Sequence, residues 1–200
     1  MDARTAKSEL TRAAIIGAAL DLAAAEGLEA LTLQSVADRI DVSKSGVFSR
    51  VGSRESLQKA VVEEFGRRFL ADVFVPAMRL PKGLPRLEEI MQRWITRTRD
   101  VDSYTGCIFS AGAFEFDDRE GPVRDLLHLE VTRWRAALRR TVLQAVEERH
   151  LKADTDPEQL VAEIYALVLG LIHDVRFLRE PRAAERTRAS WQRLLQTYRQ

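Results

Sequence analysis

Residues 31–57 read LTLQSVADRIDVSKSGVFSRVGSRESL, and two short helical patterns meet within them. The apolar residues of the first pattern recur at the spacing of one helix face: Leu33, Val36, Ala37 and Ile40. Thr32 stands just before this pattern and is a candidate N-cap. Only residues 41 and 42 separate it from the second pattern, which starts at Ser43, another N-cap candidate. The stretch therefore predicts two helices that cross steeply over a tight turn.

The second helix is predicted to end at Gly52, and its two faces differ in chemistry. Val47 and Phe48 are expected to face inward. The outward side chains can contact phosphates or base edges: Lys44, Ser45, Ser49 and Arg50. Gly46 has no side chain and would allow a close approach to a duplex. The arrangement predicts a helix-turn-helix unit whose second helix enters a DNA major groove.

The next helix is expected to begin at Ser53 as its cap, with Arg54 in its first turn. The free backbone amides at such a helix start bind anions. Together with Arg54 they predict a contact to the DNA backbone.

The residues around this unit resemble the DNA-binding region of the TetR family of bacterial transcriptional regulators. The matching positions are Gly27, Thr32, Val36, Ala37, Val42, Ser43, Lys44, Ser53, Arg54, Glu55 and Leu57. The family's usual glycine is Asp41 here, its usual tyrosine is Phe48, and its usual His-Phe pair is Arg50 and Val51. Asp41 tolerates the left-handed conformation that a tight turn needs.

The outward chemistry of the second helix and the resemblance together predict a set of DNA-binding residues. These are Thr32, Gln34, Ser43, Lys44, Ser45, Gly46, Phe48, Ser49, Arg50, Ser53 and Arg54. Residues 1–7 could add a basic arm that reaches the DNA, or could be a disordered tail.

Charge limits the kind of DNA binding that this chain can perform. The 200 residues carry a net charge of +1, and residues 1–57 hold seven basic and eight acidic side chains. A nonspecific DNA coat protein needs a broad basic field, which is absent. A specific reader remains possible because the basic residues concentrate at the N-terminus and around the second helix.

The composition points to a cytoplasmic protein. Cys107 is the only cysteine, so the chain can form neither an intrachain disulfide nor a cysteine-based metal cluster. No apolar run reaches the roughly 18 residues that a membrane span needs. We therefore expect a cytoplasmic location, no membrane partner and no cofactor.

The periodicity of the whole chain predicts an all-α fold of about nine helices, with no alternating strand pattern. We expect a helix-turn-helix domain over residues 1–53 and a helical effector-binding and dimerisation domain over residues 54–200. The fourth helix is predicted over residues 54–74 and ends because of Pro76. The helix that opens at Pro157 is apolar almost all round, so it must be covered all round.

The resemblance also implies a buried pocket for an unidentified small-molecule effector. Its candidate lining residues are Trp94, Tyr104, Cys107, Phe109, Phe116, Trp134, Tyr165 and His173. Aromatic residues at helical spacing are more often plain core. Within the apolar helix, Glu163 and His173 need hydrogen-bond partners if they are buried.

Homodimerisation through the last two helices is the third implication of the resemblance. The candidate interface residues are Ile164, Leu167, Val168, Leu171, Ile172, Val175, Trp191, Leu194 and Leu195. The alternative is that these residues are buried within one subunit. A dimer places two recognition helices over a palindrome, and the second half-site adds affinity.

The resemblance implies a repressor that binds palindromic operator DNA as a homodimer and is released by its effector. Two other function classes compete with this function. Glu115, Asp117 and Asp118 form a carboxylate cluster near His128, which suggests metal-assisted or acid-base chemistry. Their spacing matches no ligand template, and salt bridges with Arg119 and Arg124 are the simpler explanation, so we expect no enzyme. The other alternative is a helical protein–protein adaptor that does not bind DNA.

Overall fold

The computed structural model describes residues 3–99 and 106–200, without the side chains of residues 3–7. Met1 and Asp2 of the predicted arm, the predicted connection 100–103 and Tyr104 lie outside the described residues. Within the described ranges the regular elements are helices, which confirms the predicted all-α fold. We number them α1 (Ala3–Glu26), α2 (Leu33–Arg39), α3 (Lys44–Val51), α4 (Arg54–Phe69), α5 (Leu84–Arg99), α6 (Ile108–Glu115), α7 (Pro122–Glu147), α8 (Pro157–Arg176) and α9 (Ala183–Tyr198).

The helix that starts at Arg54 changes its hydrogen-bonding pattern before it ends. A π-helical turn over Leu70–Phe74 follows α4, and a last helical turn covers Val75–Ala77. The backbone amide of Val75 donates to the carbonyl of Leu70, one residue further back than in an α-helix. Pro76 lies in the final turn, at the predicted end of this helical run.

The chain forms two compact units, and their boundaries differ from the expected domain boundary at residue 53. The first unit comprises Met1–Arg68 and Cys107–Glu130, and the second comprises Phe69–Gly106 and Val131–Gln200. The helix-turn-helix residues therefore share a unit with α6 and the first part of α7. The expected functional ranges 1–53 and 54–200 remain a proposal.

In the first unit, α6 packs closely on α4. The rings of Phe65 and Phe109 meet edge to face with their centroids 4.9 Å apart. A Cβ at Gly66 would lie 3.2 Å from the Phe109 ring, and a Cβ at Gly112 would lie 3.0 Å from Leu127. The two glycines thus permit contacts that a larger residue would obstruct.

The second unit has an aromatic core, and a hydrogen bond links its last helix to α8. Phe69, Trp94 and Trp134 are at least 96% buried. The Tyr198 hydroxyl donates a 2.7 Å hydrogen bond to Glu163, so that glutamate has the partner that we expected it to need. Burial, followed by this carboxylate, raises the pKa of Tyr198 to about 12.

No helix in the described part of the chain is long and apolar enough to cross a membrane.

Candidate nucleic-acid interface

The turn between α2 and α3 has the tight geometry that the sequence predicts. Asp41 adopts a φ of 53°, which lies in the left-handed region. The backbone amide of Val42 donates a 3.0 Å hydrogen bond to the carbonyl of Ala37. Aspartate therefore occupies the conformation for which the family pattern uses glycine.

Side-chain caps fix the starts of α2, α3 and α4. Thr32 accepts a hydrogen bond from the Ser35 amide at 2.9 Å, and the Ser35 hydroxyl accepts one from the Thr32 amide at 3.1 Å. Ser43 accepts from the Gly46 amide at 3.0 Å, and Ser53 accepts from the Ser56 amide at 3.1 Å. Each cap satisfies an amide that would otherwise lack a partner, which confirms all three predicted caps.

Helix α3 buries a narrow face and exposes the rest. Val47 and Val51 are its buried residues. Phe48 was expected to face inward, but 58% of it is exposed, so that expectation was wrong. In a helix of eight residues, the pair at i and i+4 sets the buried direction, and the residue after Val47 turns away from it.

The exposed face of α3 carries the predicted polar groups. Lys44, Ser45, Ser49 and Arg50 are all exposed. Among the residues that the structure describes, neither Lys44 nor Arg50 pairs with a carboxylate. Arg50 donates a 2.9 Å hydrogen bond to the Ser49 hydroxyl, which itself donates to the carbonyl of Gly46. Two cations and two hydroxyls therefore lie along one solvent-facing helix.

Two of the remaining predicted DNA contacts have local explanations in the structure. A Cβ at Gly46 would lie 3.1 Å from the Ser43 hydroxyl, so the missing side chain makes room for the N-cap. Gln34 donates a 2.7 Å hydrogen bond to Asp38 on the next turn of α2. Gly46 and Gln34 therefore each have a structural role within the helix-turn-helix unit, apart from any contact with DNA.

Arg54 has partners within the protein, which the sequence did not predict. Its Nε donates a 2.8 Å hydrogen bond to the carbonyl of Leu31, and its Nη2 bonds to the carbonyl of Glu29. The Glu29 carboxylate lies 3.3 Å from the same Nη2. Arg54 therefore holds the loop between α1 and α2.

A second arginine shares the carboxylate of Glu29. Nη1 of Arg119 lies 2.9 Å from Glu29 Oε1. Partial burial acts to raise the pKa of Glu29, but hydrogen bonds from Arg119 and then Arg54, with their charges, lower it overall. Glu29 is therefore ionised at neutral pH and joins two cations that are far apart in sequence.

The carboxylate cluster that suggested chemistry serves the loop instead. Glu115 accepts hydrogen bonds from the backbone amides of Leu28 and Glu29 at 3.2 and 2.9 Å. The neighbouring Asp117 caps the amide of Asp118, and His128 is exposed. No three His, Cys, Asp or Glu side chains within 8–99 and 106–200 are placed to hold a metal ion. The sequence gives no signal for the Glu115 contacts because 86 and 87 residues separate the partners.

Three of the eight predicted pocket residues come together in the second unit. The ring centroids of Trp94 and Trp134 are 5.3 Å apart, and those of Trp94 and Tyr165 are 5.6 Å apart. Phe69 and Phe74, which the sequence did not single out, pack on Trp134 at 4.9 and 5.9 Å. We call these five side chains the aromatic cluster.

The aromatic cluster contains one buried polar group without a hydrogen bond. Nε1 of Trp134 has no acceptor in the described structure, although the residue is only 4% exposed. An unpaired buried donor is costly, so such groups call for an explanation. The Arg97 guanidinium carbon lies 5.6 Å from the centroid of the Phe69 ring, and Arg97 forms a salt bridge with Asp72.

The remaining pocket candidates within the described residues are Cys107, Phe109, Phe116 and His173. Cys107, Phe109 and Phe116 belong to the first unit. The His173 side chain is 57% exposed beside Asp174, so it does not line a buried pocket as we expected. Its exposure to water also removes the need for a buried partner.

Most of the predicted dimer residues are core residues of one chain. Six of the nine are buried: Ile164, Val168, Leu171, Val175, Trp191 and Leu195. The other three, Leu167, Ile172 and Leu194, are half-buried. Periodicity identifies apolar positions correctly, but it does not tell whether the same chain or a second copy covers them.

A different side of α8 is apolar and uncovered. Its exposed positions recur at helical spacing and continue into the residue after the helix: Ala162, Ala166, Leu169, Gly170, His173 and Phe177. Phe177 is 77% exposed and Leu169 is 37% exposed. We call these six positions the outer face of α8.

These features define a helix-turn-helix unit within an all-helical chain, which is the architecture of a class of bacterial DNA-binding regulators. Residues 15–61 match the family described as bacterial regulatory proteins, tetR family. Residues 83–191 match the tetracyclin repressor-like C-terminal domain. The chain therefore belongs to the TetR family of transcriptional regulators, whose members are not enzymes.

Solved structures of the same fold cover nearly the whole chain. A TetR regulator from Chloroflexus aurantiacus is 18% identical, with a TM-score of 0.84 over 96% of this chain and 98% of that one. A transcriptional regulator from Saccharomonospora viridis, solved with choline, is 14% identical, with a TM-score of 0.78 over 96% and 99%. AibR, solved with isovaleryl coenzyme A and operator DNA, is 18% identical, with a TM-score of 0.71 over 90% and 95%. Among curated proteins, no sequence matches the chain significantly.

Proposed function

We propose that this regulator is a homodimeric repressor that binds palindromic operator DNA and releases it when a small molecule binds. The observation that carries the proposal is the exposed face of α3. There Lys44 and Arg50 have no carboxylate partner among the described residues, and the Ser43 cap fixes the start of the helix. Docked in a major groove, this face presents two cations and two hydroxyls to phosphates and base edges.

Phe48 and the N-terminus of α4 complete the proposed interface. The exposed Phe48 ring has no hydroxyl, so it offers an apolar contact to a thymine methyl or a sugar instead of a phosphate hydrogen bond. Thr32 and Ser53 lie at helix starts, where the free amides favour phosphate. Arg54 has a different role from the predicted phosphate clamp, because it is bonded to the loop at Glu29 and Leu31.

Dimerisation is proposed through the outer face of α8 and not through the nine residues first expected. The outer face is apolar, and small residues at Ala166 and Gly170 would let a second helix approach closely. A two-fold dimer places this face against its own copy. Family membership and the benefit of reading two half-sites both support a second copy of this chain as the occupant.

The effector is proposed to bind at the aromatic cluster. The free Nε1 of Trp134 would favour a ligand with an acceptor oxygen, and the surrounding rings would favour an apolar or aromatic body. Similar folds carry choline in one case and isovaleryl coenzyme A in another, so the fold accommodates chemically different ligands. Because three tryptophans are present, ligand binding can be screened by intrinsic fluorescence.

Release of DNA has a defined energetic requirement. A ligand can lower DNA affinity only by its difference in affinity for the two states of the protein. A hundredfold loss of DNA affinity needs about 2.7 kcal/mol of coupling. A regulator that acts on chromosomal DNA in this way would work in the cytoplasm.

The proposal is tested by selecting bound sequences from random double-stranded DNA with the purified protein. The selection is run at about 50 and about 200 mM salt, since nonspecific binding falls steeply over that range. Enrichment of a palindrome at both salt concentrations supports a dimeric specific reader. Binding without enrichment, or no binding, argues instead for the helical adaptor, in which Lys44 and Arg50 are only a solvated face.

A further inference from the structure

The loop between α1 and α2 is held by a carboxylate from a distant part of the sequence. Glu115, the last residue of α6, accepts the Leu28 amide at 3.2 Å through one oxygen and the Glu29 amide at 2.9 Å through the other. Gly27 has a φ of +99°, and a Cβ there would lie 2.8 Å from Glu115 Oε1. The absent side chain therefore makes room for the carboxylate against the loop.

The same loop is tied to α4 through Glu29. Its carboxylate lies 3.3 Å from Nη2 of Arg54 and 2.9 Å from Nη1 of Arg119. Arg54 also donates to the carbonyl of Leu31, the residue just before the Thr32 cap of α2. Gln58 of α4 adds a 2.9 Å hydrogen bond to the carbonyl of Leu28. The start of α2 is thus fixed by polar contacts on both sides of the loop.

The beginning of α6 is fixed on α4 by apolar contacts. The Phe109 ring packs edge-on against Phe65 at 4.9 Å and fits above Gly66. Helix α6 therefore contacts α4 near one end and the α1–α2 loop at the other. The eight residues of α6 therefore connect α4 to the α1–α2 loop, and α2 and α3 lie between these two elements in the sequence.

We infer that Glu115 is a positioning residue for DNA recognition, because it fixes the loop from which α2 starts and so sets how α2 and α3 are presented. This inference rests on the proposed function. Without the carboxylate, the amides of Leu28 and Glu29 lose their charged acceptor, and water replaces it without holding the loop in one place. The recognition helix then spends part of its time in orientations that do not match the groove.

The sign of the effect separates positioning from simple electrostatics. Removal of a negative charge from a DNA-binding protein strengthens its attraction to phosphates. Positioning predicts the reverse, a loss of about tenfold in operator affinity for Glu115→Ala, equivalent to about 1.4 kcal/mol. Glu115→Gln keeps one acceptor oxygen and should recover part of that loss.

Glu120→Gln is the matched control because it removes the same charge from the same segment at an exposed position. Operator affinity is measured for the full-length wild-type protein and the three variants on a selected palindrome, well below the unfolding temperature of each. Hydrogen exchange of the Leu28 and Glu29 amides is measured without DNA. We expect faster exchange at both amides in Glu115→Ala, weaker DNA binding by that variant, and wild-type or slightly tighter binding by Glu120→Gln.

Two results would overturn the inference, and they are distinguishable from failure of the proposed function. Unchanged exchange at both amides in Glu115→Ala would show that the carboxylate does not hold the loop, whatever the DNA result. Equal DNA affinity for Glu115→Ala and Glu120→Gln would show that the loop contact does not position the recognition helix. A wild-type protein that selects no sequence would refute the proposed function and, with it, any role of Glu115 in recognition.

Discussion

The guanidinium of Arg54 lies 3.3 Å from the carboxylate of Glu29, so the first helical turn of α4 is linked to the loop that precedes α2. This ion pair is largely exposed, with 45% and 38% of the two side chains accessible. Exposed pairs contribute little stability by themselves. The ion pair instead helps to fix the position of the loop, because the same arginine also donates to two backbone carbonyls of the loop.

Replacement of Arg54 should weaken binding to the selected operator more than binding to unrelated DNA. In Arg54→Ala the loop loses three contacts, and recognition by α3 becomes less well positioned without any change in which bases are preferred. The dependence of affinity on salt should stay close to that of the wild type, since each lost phosphate contact lowers the slope by about 0.9. A slope that falls by about one would instead identify Arg54 as a phosphate contact.

Arg50→Ala should change sequence preference. Arg50 is exposed on α3 without a carboxylate partner among the described residues, and an arginine in a major groove pairs best with guanine. Loss of such a contact should cost about 1–3 kcal/mol and relax preference at one base pair of each half-site. Arg79→Ala removes another exposed arginine, from the second unit, and serves as the control. If Arg50→Ala weakens all sequences equally, the arginine contacts only the backbone.

The outer face of α8 should decide the oligomeric state. Ala166 is exposed at the middle of that face, so Ala166→Arg would place a charge between two copies and should shift the protein towards a single chain of 22.7 kDa. Ala153→Arg makes the same substitution in an exposed loop and should leave the dimer intact. Analytical ultracentrifugation compares the two. An undisturbed dimer in Ala166→Arg would place the interface elsewhere.

Acid should remove a stabilising contribution of Glu64. Hydrogen bonding by Arg67 outweighs partial burial and, with Arg68, lowers the pKa of Glu64 from 4.5 to about 2. A carboxylate whose pKa falls on folding stabilises the protein above its unfolded pKa and loses that effect as the pH drops. The free energy of unfolding of the wild type should therefore exceed that of Glu64→Gln by at most about 3 kcal/mol at pH 7. The difference should shrink only below about pH 4.5.

Urea unfolding at several pH values measures this difference, with Glu63→Gln as an exposed control. The difference in unfolding free energy between wild type and Glu64→Gln could instead stay constant through the acid range. That result would mean that Arg67 and Arg68 do not stabilise the ionised carboxylate.

Local chemistry in the sequence predicted the recognition unit well. The caps at Thr32, Ser43 and Ser53 and the left-handed turn at Asp41 depend on neighbours within four residues, so the residue types alone specify them. Phe48 was placed wrongly because a helix of two turns is too short for its apolar residues to define a direction without knowledge of what covers them.

Long-range packing limited the rest of the prediction. The residues of α8 with the strongest apolar pattern, such as Ile164 and Val168, are covered by their own chain, whereas the exposed outer face consists partly of alanine and glycine. The contact of Glu115 with Glu29 joins residues 86 positions apart, and no local pattern encodes it. Of the predicted pocket residues, Trp94, Trp134 and Tyr165 pack together in the aromatic cluster, whereas three others belong to the first unit.

A specificity ratio shows whether paired α3 helices read a specific DNA sequence. Affinity is measured for the selected palindrome and for a scrambled duplex of the same composition, at about 50 and about 200 mM salt. We expect a ratio of at least about 10³ that persists at the higher salt, with two chains bound to each palindrome. A ratio near one at both salt concentrations would contradict this expectation, because binding would then depend on phosphate charge alone.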